Sequence, residues 1–158
     1  MQNTFLDNSL KSLSLKHPPI FDKQEHDKYV KDWREQYVGE AVAVLRPVDT
    51  KEVSEILKFA YKNGVDVVPQ GGNTSLCGAA TPDKSGKSIV ISLEKMNNVR
   101  AFNKKANTIT VDSGIILSRI HEIVEEENLF FPLSLGAKGS CMIGGNLSTN
   151  AGGVNVLK

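Results

Sequence analysis

Two apolar runs separated by an amphipathic stretch constrain this chain most. Ala41-Val42-Ala43-Val44-Leu45 is almost wholly apolar and stops at Arg46-Pro47, the pattern of a strand buried on both faces of a parallel sheet. Asp49 and Glu52 then stand at the N-cap and N3 spacing of a capping box. Val53, Ile56, Leu57, Ala60 and Tyr61 recur at helical intervals before Asn63-Gly64 ends the pattern. Asp66-Val67-Val68-Pro69 is a second strand, so strand, helix and strand make a βαβ crossover. The second strand empties into Gln70-Gly71-Gly72-Asn73-Thr74-Ser75, at the edge of the sheet where ligands collect.

The flanking sequence predicts further elements. Residues 1–20, ending in His17-Pro18-Pro19, read as a lead-in segment, because proline lacks an N–H and forces its predecessor into extended geometry. Tyr29, Val30, Trp33 and Tyr37 predict one helix over 22–38, stopped by Gly39, with Trp33 as its packing anchor. Ser88–Leu93, Val99–Phe102 and Thr108–Val111 read as strands, the last two joined as a hairpin through residues 103–107. A second helix is predicted over 115–127, burying Ile116, Leu117, Ile120, Ile123 and Val124. The Glu125-Glu126-Glu127 run opposes the macrodipole at its C-terminal end, so fraying is expected there.

Composition excludes several classes of protein. The chain has 158 residues, enough for one core, with 19 Lys+Arg against 18 Asp+Glu and a formal net charge of +1. That balance argues against nucleic acid as the main partner, since such binders carry a basic excess. No apolar run reaches the roughly 18 residues a membrane helix requires, and the N-terminal residues lack the order of a secretory signal, so a cytoplasmic location is expected. Cys77 and Cys141 are too few and too far apart for a disulfide framework or a zinc site, and reduced thiols are expected. His17, His26 and His121 share no ligand spacing, so no metal is expected.

Two glycine-rich segments carry the functional signal. In 70–78, which has no charged residue, Gly71-Gly72 can take positive φ and expose consecutive backbone N–H groups, with the Thr74 and Ser75 hydroxyls beside them. That is the chemistry of a pyrophosphate cradle. It is not a Rossmann fingerprint, because no Gly-x-Gly-x-x-Gly opens a helix. Nor is Gly86-Lys87-Ser88 a P-loop, because Thr81 stands where that motif needs glycine. The second segment runs from Pro132 to Gly153, too dense in glycine and small donors for a core element, and is suited to a flat ligand. Lys138 is its only charge and a candidate partner for a phosphate or carboxylate.

Pro69-Gln70-Gly71-Gly72-Asn73-Thr74, Leu135-Gly136-Ala137-Lys138-Gly139-Ser140-Cys141, Ile143-Gly144-Gly145-Asn146 and Thr149-Asn150-Ala151-Gly152-Gly153 resemble the FAD-binding domain of flavin-linked 2-hydroxy-acid dehydrogenases. These belong to the vanillyl-alcohol-oxidase superfamily, whose PCMH-type domain has two α+β subdomains with FAD between them. The resemblance runs from about Trp33 to Lys158. It implies an α+β fold holding the first, βαβ-containing subdomain and the start of the second, in a truncated form. Residues 1–38 would be a lead-in and helix, and 39–158 the N-terminal part of the FAD-binding domain.

The resemblance assigns Gln70, Gly71, Gly72, Asn73, Thr74 and Ser75 to the FAD pyrophosphate. It places Pro132, Leu133, Gly136, Ser140, Gly144, Gly145, Asn146, Thr149, Asn150 and Gly152 along the rest of the cofactor. The implied activity is oxidation of a D-2-hydroxy acid, 2-hydroxyglutarate-like, to the 2-oxo acid, with electrons leaving to a separate acceptor. A D-lactate or glycolate dehydrogenase flavoprotein and a catalytically inert FAD-binding fragment are the alternatives. No residue of the chain is assigned as the catalytic base. Asn73 stands where covalently flavinylated relatives carry histidine, which implies non-covalent FAD. Ser75, Cys77, Ser134 and Met142 depart from the residues frequent at their positions, glycine, an aliphatic residue, aspartate and histidine respectively.

Overall fold

The computed structural model describes residues 2–156, with side chains from residue 6 onward; Met1, Leu157 and Lys158, at the ends of the two expected segments, lie outside the described residues. Helices α1 (Gln2–Lys11) and α2 (Lys23–Val30) precede β1 (Ala43–Leu45), α3 (Thr50–Asn63), β2 (Asp66–Gln70) and β3 (Ser88–Ser92). Then come β4 (Val99–Asn103), β5 (Thr108–Val111), α4 (Leu117–Glu125) and α5 (Ile143–Ser148). β1, β3 and β2 form a parallel sheet in that order, while β4 and β5 form an antiparallel hairpin.

The sheet is covered on both faces of β1 and β3, which is why Ala43–Leu45 and Ile89–Ile91 are apolar runs, whereas β2 at the edge is only half-buried. Ala43, Leu45, Ile89 and Ile91 point to one face, where Ile56 and Ala60 of α3 and Leu10 of α1 meet them. Val44 and Val90 point to the other, against Ile20, Tyr29 and Ala41. Ile20 also extends the sheet locally by exchanging backbone hydrogen bonds with Val44. The lead-in segment is therefore partly core, with Leu10 fully buried. Sequence reading misses this because the local pattern is mixed and its partners are distant in the chain. The βαβ expectation holds for the parallel direction, but β3 sits between the two strands it joins.

A second core lies between the hairpin and α4. Ile115, Leu117, Ile120 and Val124 pack with Leu133, Cys141 and Ile143, and Phe102, Ile109 and Val111 close over them. The second glycine-rich segment thus supplies core residues, contrary to the expectation from its composition. Three apolar side chains spaced through the glycines anchor it, and it includes α5. Ile116 and Ile123 are only half-buried. The helix ends at Glu125, inside the acidic run, and Asn128 takes a left-handed φ of 57° just beyond it.

Two helical expectations are corrected. The helix predicted over 22–38 stops at Val30, and residues 31–38 form a turn closed by a Lys31–Val38 bridge. Asp32 drives the change: its carboxylate accepts the Tyr37 N–H at 2.8 Å and the Arg34 N–H at 3.3 Å, and Glu35 takes φ 55°. Such local side-chain bonds compete with helix propagation. Those N–H donors, Tyr37 first, hold the Asp32 carboxyl below its ordinary value. Trp33 is 60% exposed under Arg34, so it is no packing anchor.

In α3, Asp49 caps Glu52 as expected, at 2.9 Å, but Glu52 does not return the bond to Asp49. Its carboxylate accepts the N–H groups of Val48 at 2.9 Å and Lys16 at 2.8 Å, tying the N-terminal segment to the helix. The buried stripe narrows to Ile56 and Ala60, with Leu57 and Tyr61 exposed.

Candidate flavin site

β2 ends at Gln70, whose buried side chain is a strut: Nε2 donates to the Tyr29 carbonyl at 2.8 Å and the Ala80 carbonyl at 2.7 Å. This fixes both ends of loop 71–80 against α2. Asn73 Nδ2 donates to the Lys31 carbonyl at 2.7 Å, and Gly78 lies so close to the Tyr37 ring that an added Cβ would come within 2.5 Å of it. The turn that replaces the second half of the predicted helix therefore buttresses the loop. Sequence reading misses Tyr29, Lys31 and Tyr37 in this role, because their contributions are carbonyls and a ring face that no motif encodes.

Within the loop, the backbone N–H groups of Gly72 through Leu76 find no acceptor among the described residues. Asn73 is left-handed, at φ 51°, the conformation that in anion-binding backbone concavities brings successive N–H groups to one side. Gly71 and Gly72 do not adopt positive φ, contrary to the expectation. Glycine is required at 72 for close approach instead: a Cβ there would collide with the Ser140 carbonyl and lie 2.9 Å from Cys141 Cα. Gly71 faces Met142, whose Cβ would lie 3.4 Å from an added methyl, and the Gly145 nitrogen. The two glycine-rich segments, about sixty residues apart in sequence, meet here.

The second segment is held from below. Cys141 accepts the Leu117 N–H at 3.0 Å, the Ile143 N–H donates to Ile115 at 3.0 Å, and the Gly144 N–H donates to Ser113 at 2.8 Å. Gly144 packs on Ser113, whose Cβ would lie 2.6 Å from an added methyl. Asp112-Ser113-Gly114 is thus the floor of the segment, a turn that sequence reading passes over although Asp-Ser-Gly after a strand is turn chemistry. Gly136, Ser140 and Gly145 are exposed on the upper side.

Other predicted residues take more structural positions. Leu133 is core and its carbonyl receives His121 Nε2 at 2.9 Å, while Asn146 is buried with Nδ2 3.5 Å from Cys141 Sγ. Thr149 Oγ1 donates to the Gly145 carbonyl at 2.8 Å, closing the end of α5, and Asn150 takes φ 50°. Pro132, Thr149, Asn150 and Gly152 are exposed around the rim, while Thr74 is half-buried beside the first loop. Lys138 is exposed, with its carbonyl accepting the Ser118 N–H at 2.9 Å. His26 is buried with Nε2 2.9 Å from the Ile20 carbonyl, a packing role. The Ser75 hydroxyl, 3.0 Å from Cys77 Sγ, holds that exposed thiol below its ordinary pKa, aided by the Ala79 N–H.

A parallel α/β unit ending in N–H groups that lack a partner among the described residues, pressed against a second glycine-rich segment, suits the diphosphate and flat ring of a flavin dinucleotide. The fold and this site define an α+β, PCMH-type flavin-binding domain. The model of the FAD binding domain family matches residues 41–158, and the chain belongs to that family; its cofactor is FAD.

Among curated relatives, a mitochondrial Schizosaccharomyces pombe protein provisionally named a D-lactate dehydrogenase is 42% identical over 87% of this chain and 26% of its own length. The mitochondrial D-2-hydroxyglutarate dehydrogenase of Bos taurus is 40% identical over 88% of this chain and 25% of its own length. The chain spans about a quarter of the length of these relatives. An alkyldihydroxyacetonephosphate synthase structure superposes with a TM-score of 0.80 over 92% of this chain and 29% of its own, at 20% identity, a likeness of fold. No helix among the described residues is long and apolar enough to cross a membrane.

Proposed function

We propose that the chain is the FAD-binding portion of a flavin-dependent dehydrogenase that oxidises a D-2-hydroxy acid, 2-hydroxyglutarate-like, to the 2-oxo acid. The observation that carries this reading is the contact of Gly72 with Ser140 and Cys141, which makes one cradle of the two segments that carry the family resemblance. Similarity to the bovine enzyme over most of this chain supports the substrate class. FAD, when bound, supplies the hydride acceptor. The residues assigned to it are Gln70, Gly71, Gly72, Asn73, Thr74 and Ser75, and, along the second segment, Pro132, Leu133, Gly136, Ser140, Gly144, Gly145, Asn146, Thr149, Asn150 and Gly152. Gln70 and Leu133 serve through the backbone they hold in place. Residues 1–38 are proposed as the lead-in and 39–158 as the N-terminal part of the FAD-binding domain. A separate electron acceptor and a cytoplasmic site of action belong to the same proposal, although the two relatives above are named mitochondrial.

Titration of the chain with FAD is expected to give saturable quenching of flavin fluorescence; an unsaturable, linear response would refute the cradle. In the FAD-loaded protein, anaerobic D-2-hydroxyglutarate is expected to bleach the flavin band. Bleaching by D-lactate alone would move the assignment to the D-lactate group, which the fission-yeast relative favours.

FAD is proposed to be dissociable. Asn73 offers an amide, which is not a nucleophile, and that amide is already committed to the Lys31 carbonyl. Acid precipitation of the FAD-loaded protein should leave the yellow colour in the supernatant, and colour retained in the pellet would overturn this expectation.

A further inference from the structure

The hairpin contains an irregularity outside the contact between the two glycine-rich segments. Val99 pairs with Val111 and Ala101 with Thr110, so Arg100 is an extra, bulged residue in β4. Bulges re-aim a side chain, and they are enriched beside functional sites. Here the guanidinium reaches Asp112 with two bonds, Nε to Oδ1 at 2.8 Å and Nη2 to Oδ2 at 3.1 Å. The Asn98 N–H and Nδ2 converge on Oδ2 at 3.1 and 3.0 Å. Four donors thus meet one carboxylate that is 8% exposed. Burial pushes that carboxyl up, but the Arg100 and Asn98 donors outweigh it and hold it below its ordinary value.

Asp112 begins the turn under the second glycine-rich segment. Its own carbonyl accepts the Ile115 N–H, the Ser113 carbonyl accepts the Gly144 N–H, and Gly114 is pinned by its N–H to Met96 at 2.8 Å. A Cβ at Gly114 would collide with the Leu93 carbonyl, so the turn has almost no freedom to shift toward the parallel sheet. A rigid support for a binding element matters because small displacements at the element are read directly as lost affinity.

We propose that Arg100 and Asp112 are positioning residues for the flavin cradle, the bulge delivering Arg100 to Asp112 so that the pair fixes the turn from which Gly144 is hung. This rests on the flavin reading above for its consequence, but not for its geometry. Arg100→Ala and Asp112→Asn are expected to weaken FAD binding by about tenfold. Amide hydrogen exchange should accelerate selectively at Gly114 and Gly144, leaving β3 amides unchanged. Arg100→Lys keeps the charge but loses the two-pronged geometry and should recover only part of the affinity.

Equal acceleration at every amide would show a general stability effect and overturn the proposal, as would unchanged exchange at Gly144. If the wild-type chain fails to bind FAD, the flavin reading fails, while the exchange measurement still decides whether Arg100 and Asp112 control Gly144. If the wild type binds and both variants bind equally well, the positioning role fails alone.

Discussion

Gly72→Ala is expected to weaken FAD binding by about 100-fold, on the order of 3 kcal/mol. The new methyl would enter the space of the Ser140 carbonyl and the Cys141 backbone, and backbone cannot rotate aside as a flexible side chain would. The two glycine-rich segments must then separate at their point of contact. Overpacking of this kind costs about 1–3 kcal/mol of stability as well, so the variant's fold should be checked by circular dichroism before titration. Gly139→Ala is the control. Among the described residues no atom lies within 4 Å of the position of its methyl, and wild-type affinity is expected. A Gly72→Ala protein that binds FAD as well as the wild type would show that the contact does not shape the site.

Leu117→Ala is expected to give the largest loss of stability among single changes near the site, about 2–5 kcal/mol, read as a lower denaturation midpoint in urea with an unchanged slope. Leu117 is fully buried in the second core, and its N–H holds the Cys141 carbonyl. The truncation leaves that backbone bond chemically possible but removes the packing that sets its position. FAD binding should weaken with stability, and added FAD should recover part of the loss through mass action. A midpoint within experimental error of the wild type would mean that Leu117 is not packed as described.

The parts of this fold legible in the sequence are those where burial is two-sided or a turn is chemically marked. β1 and β3 announce themselves because their centres, Ala43–Leu45 and Ile89–Ile91, are buried and apolar, and the hairpin because Val99–Phe102 and Thr108–Val111 flank a polar tip. The α3 cap was readable from Asp49, but not the destination of the Glu52 carboxylate, which depends on a segment 36 residues away. Helical spacing through Trp33 and Tyr37 misleads because Asp32 satisfies nearby N–H groups locally and Lys31 is recruited by Asn73. The stripe on α3 misleads in the other direction: Leu57 and Tyr61 have the spacing for burial, yet the sheet meets only the narrower line of Ile56 and Ala60.

At the site, the two glycine-rich segments were found from composition and family resemblance, whereas the reason for their glycines was not. Conformational freedom is the natural expectation for Gly71 and Gly72, but the left-handed residues of the segment are Asn73 and Gly78. The need for glycine at 72 comes from Ser140, a contact across about seventy residues that no local pattern records. α5 is hidden for a similar reason. Its two glycines lower intrinsic helix propensity, and burial of Ile143 and Asn146 compensates through tertiary packing.

The strand order has a consequence for how the chain acquires its structure. β1 and β2 share no ladder; the strand ladder of each is with β3, which is made last of the three. During synthesis the first seventy residues hold two strands with no ladder between them, β1 having only its two-bond exchange with Ile20. Emergence of Ser88–Ser92 supplies both ladders at once, so the sheet assembles in a single late event rather than strand by strand. Until then the nascent chain carries the exposed edges and loop-closure cost that make non-local parallel pairing slow and vulnerable to aggregation.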